Sequence, residues 1–150
     1  MKNIPESVDV LVIGAGPSGS IASALLYKYG RSVVVLEKAI FPRFSIGESL
    51  LPQCMEYIKE AGMMDAVVKH QFQYKNGAAF AYKDKRTVFD FGFQFTEGWG
   101  HTWQVQRAQF DKVLADSAEE QGVPIFYEHE ITEVDCRADG NLVTYRTPEG

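Results

Sequence analysis

Apolar residues first gather in residues 8–13, a short run that predicts a β-strand. After a cluster of glycines, Ile21, Leu25 and Leu26 recur at helical spacing. Val33 to Leu36 then forms a second apolar run, closed by Glu37. The unit over residues 8–37 therefore reads as strand–helix–strand, with those three helical residues turned toward the sheet. Residues 40–49 have no period and carry Pro42 and Gly47, which marks an irregular loop. Pro52 suits the first turn of a helix reaching about Ala61, with Met55 and Ile58 on its apolar side. Residues 63–69 predict a second short helix.

The period then changes from helical to alternating. Residues 77–82 and 86–95 read as strands joined by a polar turn at Lys83, Asp84 and Lys85. In the second of them Phe89, Phe91, Phe93 and Phe95 alternate with Asp90, Gly92 and Gln94, which predicts four aromatics on one face. Residues 102–106 predict another strand. Residues 107–121 predict a helix facing inward through Phe110, Val113, Leu114 and Ala118 and ended by Gly122. A strand at 124–127 can join the first two in parallel. Residues 131–136 and 142–147 form a hairpin turned near Asp139 and Gly140. The class is α/β, with a Rossmann-like, three-layer parallel sheet and helices, plus an antiparallel sheet. Thr147, Pro148, Glu149 and Gly150 read as a turn about to begin another strand. Because an open edge on a parallel sheet is a liability, the chain is expected to be the N-terminal part of a larger fold.

The junction of the first strand and helix carries the chemistry. Gly14-Ala15-Gly16-Pro17-Ser18-Gly19 fits a dinucleotide fingerprint. Gly14 allows a tight turn, Gly16 lets backbone approach a pyrophosphate, and Gly19 lets the helix lie close to the strand. Free N–H groups and the positive end of the helix dipole then face the phosphates. Glu37 stands 23 positions beyond Gly14, near the spacing of about 20 for an acid that binds ribose hydroxyls. A carboxylate there repels a 2′-phosphate, so the expected ligand is an adenine dinucleotide of the FAD or NAD type, not NADP.

Composition narrows the partners. At 150 residues the chain has the length of one domain, and its net charge is −5 with no basic run. That argues against nucleic acid and anionic membranes, and it leaves helix dipoles and a few arginines to hold an anionic ligand. Cys54 and Cys136 are far apart, and His70, His101 and His129 are scattered, so neither a disulfide framework nor a metal site is expected. Residues 1–7 lack the features of a signal peptide, and the apolar stretch after them is broken by the glycine cluster, so no membrane-spanning helix is expected. A cytoplasmic location is the default.

Phe41-Pro42-Arg43-Phe44-Ser45-Ile46-Gly47-Glu48-Ser49-Leu50-Leu51-Pro52 resembles the F-P-R-x-x-x-G-E-S-L-L-P segment of flavin-dependent halogenases and of geranylgeranyl-reductase-like flavoproteins. Aromatic hydroxylases of the p-hydroxybenzoate type are more distant relatives. Residues 105–114 resemble that family's V-x-R-x-x-F-D-x-x-L element. The resemblance implies FAD as cofactor over residues 1–150, with strands at about 77–106 on the substrate side. It implies that Gly14, Gly16, Pro17, Ser18 and Gly19 cradle the pyrophosphate and that Glu37, with Lys38 beside it, holds the adenosine ribose. Arg43 and Arg107 would lie against the phosphates and ribityl chain, although each could instead be an ordinary salt bridge. Gly47, Glu48 and Ser49 would pass near the isoalloxazine, and Ile131 would offer backbone to the adenine.

Lys75 falls where many halogenases carry a lysine that binds or captures hypohalous acid; the plainer reading is a solvated loop lysine before a strand. The phenylalanine alternation is either the buried face of a sheet or a wall over the flavin, to which Trp99, His101 and Trp103 could add. The W-x-W-x-I-P and later G-D motifs of the family are not found in these residues; both normally lie further along. What the resemblance implies is an FAD-dependent oxidoreductase of halogenase or monooxygenase type. Its reduced flavin would react with oxygen to modify a hydrophobic or aromatic small molecule, with NAD(P)H or a flavin reductase as reductant. The alternatives are an alkene reductase or, if the chain ends at residue 150, a flavin-binding module without catalysis.

Overall fold

The parallel sheet is built on β2 (Val33–Leu36), whose four residues are all buried. It pairs on one side with β1 (Val10–Ile13), in the register Val10 to Val33 through Ile13 to Leu36. On the other side it pairs with the short β7 (Ile125–Phe126). A strand covered on both edges and both faces tolerates only apolar residues, which explains the uninterrupted Val-Val-Val-Leu run. The computed structural model describes residues 3–95 and 97–149; Gly150 of the expected terminal turn lies outside them.

Four helices form one connected group around this sheet. They are α1 (Pro17–Lys28), α2 (Gln53–Glu60), α3 (Met64–Lys69) and α4 (Arg107–Glu120). Helix α1 touches β1, β2, α2 and α4, and α4 touches α3. The buried face of α1 is not the one its large residues predict. Ser20, Ser23 and Ala24 are buried, whereas Ile21, Leu25 and Leu26 are half-buried. Small residues win this face because α1 lies directly against α4, which buries Ala115, Ser117 and Ala118. The serine hydroxyls are satisfied within α1 and its turn, by Ala15 O at 2.9 Å and Ser20 O at 3.0 Å.

Three of these helices end alike. After α4, Gly122 N donates to Glu119 O and Val123 N to Ala118 O. The same pair of bonds follows α1 at Gly30 and Arg31, and α2 at Gly62 and Met63. This is the Schellman ending, and it needs a left-handed residue; Gly122 supplies it with φ +103°.

The remaining strands form three separate two-stranded ladders. Strand β3 (Gln73–Lys75) pairs with β6 (Thr102–Gln104), β4 (Gly77–Tyr82) with β5 (Lys85–Asp90), and β8 (Glu130–Asp135) with β9 (Leu142–Arg146), all antiparallel. Strand β3 was not expected from the sequence. The aromatic strand also differs from its prediction, since β5 stops at Asp90. The Asp90 carboxylate accepts from Gly92 N at 2.7 Å and its carbonyl from Phe93 N at 3.2 Å, so the chain turns there. Of the four alternating phenylalanines only Phe91 is buried; Phe93 and Phe95 are exposed. None of the described helices is long and apolar enough to cross a membrane.

Among the described glycines, the one with least room for a side chain lies in the first turn of α1. A Cβ on Gly19 would overlap the Gly14 carbonyl and come within 3.3 Å of a Val12 methyl carbon. Gly19→Ala is expected to lower stability by about 1–3 kcal/mol, because backbone must move to admit one methyl group. Urea unfolding followed by circular dichroism measures this; a variant as stable as the parent would show that the approach is loose.

Candidate functional site

The glycine turn has the geometry the fingerprint requires. Gly14 has φ +91°, a conformation L side chains rarely adopt. Gly16 is the N-cap of α1 in extended backbone, and Pro17 and Ser18 open the helix. Glu37 directly follows β2 and is buried, 4% exposed. Its Oε2 accepts from Ala15 N at 2.8 Å and its Oε1 from Ala39 N at 2.9 Å. The acid thus fastens the glycine turn to the end of the neighbouring strand, a use of this side chain that spacing alone does not reveal.

A cavity of about 330 Å³ opens beside this turn, lined by Gly14, Glu37, Lys38, Arg43 and Ile131, with His129 between the two chain segments. His129 was missed by sequence reasoning, and nothing local marks it except its place just before Ile131. Its backbone N donates to Glu37 O at 2.9 Å, its Nδ1–H to Tyr127 O at 2.6 Å, and its ring lies between those of Phe126 and Tyr145.

Loop 41–50 carries most of the other candidates. The Arg43 guanidinium lies over the Phe41 ring at 4.7 Å, and Phe41 meets Tyr127 edge-on at 5.6 Å. Burial and the neighbouring Glu119 push the Tyr127 hydroxyl pKa well above its usual range, so it stays protonated and donates to that carboxylate. Arg43 is 3.2 Å from Asp111 and 3.8 Å from Glu37. Arg107 makes two bonds to Asp111, at 2.7 and 3.0 Å, and donates to Ile46 O at 2.6 Å. Asp111 is fully buried. The sequence did hold a signal for it, the acid four residues after Arg107 in the R-x-x-F-D element. The two arginines thus pair with one and the same buried acid.

The end of the loop is held by β6. Val105 N donates to Glu48 O at 2.8 Å, Leu50 N to Trp103 O at 3.3 Å, and Ser49 bridges to Gln104. Lys75, at the end of β3 opposite Thr102, reaches this same segment. Its Nζ donates to Ser49 Oγ at 2.8 Å and Leu50 O at 2.7 Å and lies 5.1 Å from the centre of the Phe91 ring. Lys75 is thus half-buried and tethered, not a solvated loop residue. Phe91 also lines a groove of about 530 Å³ with Leu51, Pro52, Phe89 and Trp99; Phe93 and Phe95 are not part of that lining.

These residues form two groups, one around Gly14, Glu37 and Arg43 and the other around Ser49 and Lys75. Arg107 stands at the Gly47 bend between them, where a Cβ on Gly47 would lie 3.0 Å from its Nη1. The first group fits an adenine dinucleotide. It combines a left-handed glycine, helix N–H groups, a buried acid and a guanidinium beside Gly16, whose added Cβ would lie 3.5 Å from Arg43 Nη2.

A family model described as "FAD binding domain" matches residues 7–149. The chain belongs to this FAD-binding family. FAD rather than NAD is accordingly its cofactor, and a tryptophan 2-halogenase of Chondromyces crocatus is 40% identical to it over 123 residues. That alignment covers 82% of this chain and 23% of the halogenase. Among solved structures, a flavoprotein/dehydrogenase from Cytophaga hutchinsonii superposes with a TM-score of 0.91 at 49% identity. It is matched over 97% of this chain and 36% of its own. The myxobacterial chondrochloren halogenase, described as a variant of FAD-dependent halogenases, superposes at 0.86 with 33% identity, over 97% of this chain and 34% of its own. The chain thus spans about a quarter of the curated relative and about a third of each solved structure.

The two cysteines of the domain differ in reactivity. Cys136 is exposed, while Cys54 is half-buried beside Thr102, and burial pushes its thiol pKa upward. Iodoacetamide near pH 8 is expected to modify Cys136 about tenfold or more faster than Cys54, since only the thiolate reacts. Peptide mass spectrometry measures both rates, and equal rates would mean that the Cys54 environment is open.

Proposed function

We propose that residues 1–150 form the FAD-binding portion of a flavin-dependent halogenase-type oxidoreductase, with the ladders over about residues 77–106 on its substrate side. The observation that carries this reading is the tethering of Lys75 to Ser49 and Leu50, which brings the lysine onto the G-E-S-L segment. FAD, reduced by NAD(P)H or a partner reductase, supplies the electrons that activate oxygen. In the overall balance, reduced flavin and the organic C–H plus halide give up four electrons, taking O2 to two waters and leaving a carbon–halogen bond.

The residues of this chain bind, orient and donate. Gly16, Ser18 and Gly19 present backbone N–H groups to the pyrophosphate, with Pro17, which has no N–H, opening the helix, Glu37 and Lys38 at the adenosine ribose and Ile131 at the adenine. Arg43 faces the phosphates, and Arg107 holds Gly47 and Glu48 in the path toward the isoalloxazine. An ammonium has three N–H donors, and Lys75 spends two of them on Ser49 and Leu50. The third is free to donate to an oxidised halogen species and hold it for transfer, a task that needs no free lone pair. The groove that Phe89, Phe91 and Trp99 line together with Glu56 and Glu97 offers aromatic surface to a hydrophobic or aromatic small molecule, and Phe91 links it to the lysine. A cytoplasmic setting accompanies this reading.

A second reading is favoured by the 49% identity to the flavoprotein/dehydrogenase. It is an FAD-dependent reductase in which Lys75 orients substrate and no halide is used. Purified protein incubated with FAD and freed of excess should show an oxidised-flavin spectrum, and Lys75→Ala should show the same one. With a reductase, oxygen, bromide and a panel of phenols and indoles, the parent is expected to form brominated product. Lys75→Ala should lose that product roughly a hundredfold or more. Oxygen-independent saturation of an alkene, without bromide incorporation, would establish the second reading.

A further inference from the structure

Asp111 is a fully buried charge. Its side chain has no exposure, yet it touches two cations from different parts of the chain. Lys112 and Asp116, on the same helix, form the ordinary counterpart, a pair 44% and 45% exposed with little to organise. A carboxylate buried completely is tolerated only where cations surround it, so its partners are fixed as firmly as it is.

What it fixes is specific. Arg43 gives Nη1 to Asp111, which leaves Nη2 beside the Gly16 turn. Arg107 gives Nε and Nη2 to Asp111, which leaves Nη1 to bind Ile46 O at the Gly47 bend. One buried acid thereby orients a guanidinium near the start of loop 41–50, beside the Gly16 turn, and another at its Gly47 bend, on the way to Ser49 and Lys75. We propose that Asp111 is a positioning residue for the dinucleotide, aiming Arg43 at the pyrophosphate of FAD and holding the Gly47 bend through Arg107. The assignment rests on the dinucleotide reading above.

The test uses the parent chain, Asp111→Asn and Asp111→Glu. Each is titrated with FAD, and the arginine Nε–H signals are recorded by 15N NMR with and without inorganic pyrophosphate. In the parent, pyrophosphate is expected to shift the Arg43 signal. In Asp111→Asn, folded by circular dichroism, the Kd for FAD should rise about tenfold or more and the Arg43 response should vanish, because the ion pair that aims Arg43 has been lost. Asp111→Glu keeps the charge one methylene away and should fall between the two. Unchanged FAD affinity in Asp111→Asn overturns the proposal. So does weaker binding with an intact Arg43 response, which would mark a purely structural acid. If Asp111→Asn does not fold, Asp111→Glu decides, and FAD affinity equal to the parent overturns the proposal. A parent chain that takes up no FAD and shows no arginine response would sink the dinucleotide reading itself, and this role with it.

Discussion

The bond from Ala15 N to the Glu37 carboxylate is the constraint on which the rest of the site depends. It joins the glycine turn after β1 to the residue that directly follows β2, so the start of α1 cannot move independently of the sheet. The second Glu37 oxygen takes Ala39 N and so sets the direction in which the chain leaves β2. From there Phe41 reaches Tyr127, Arg43 reaches Asp111, and residues 48–50 are caught along β6. Each step places the next. Lys75 meets Ser49 because β3 and residues 48–50 are both hydrogen-bonded to β6.

Much of the fold was legible because its signals are local. The apolar runs of β1 and β2, the helical spacing of α4 and the glycine after it follow from neighbours in sequence. The parallel pairing of β7 followed from the strand–helix–strand pattern. What was not legible depends on distant neighbours. Leu25 and Leu26 promised the buried face of α1, but the close approach of α4 gave that face to Ser20, Ser23 and Ala24. The alternation through Phe95 promised a long strand, but one Asp90 carboxylate bonded to Gly92 turned the chain first. Strand β3 is three residues long and exists because β6 lies opposite it, and no periodicity can announce a segment so short.

The site divides in the same way. The glycine turn, Glu37 and Arg43 are motif residues, and the structure brings them to one cavity. Asp111 was visible as a letter of a motif, yet its importance lies in being buried between two arginines 64 positions apart in the sequence. His129 had no signal, because its position is set by a backbone bond to Glu37. The Leu50 carbonyl that holds Lys75 could not be read from a side chain at all.

Charge explains why this arrangement must be rigid. Glu37, Arg43, Asp111 and Arg107 alternate in sign along one chain of contacts, so the cluster is neutral within a protein of net charge −5. A diphosphate held here, as proposed above, would gain little from net attraction to the cluster, since both arginines are already matched. Affinity would come instead from directed N–H groups, those at the start of α1 and the guanidinium edge beside Gly16. Directed bonds lose their strength with small errors of angle, whereas net attraction does not. A neutral site therefore demands fixed donors, and a fully buried acid shared by both guanidiniums is a means of fixing them.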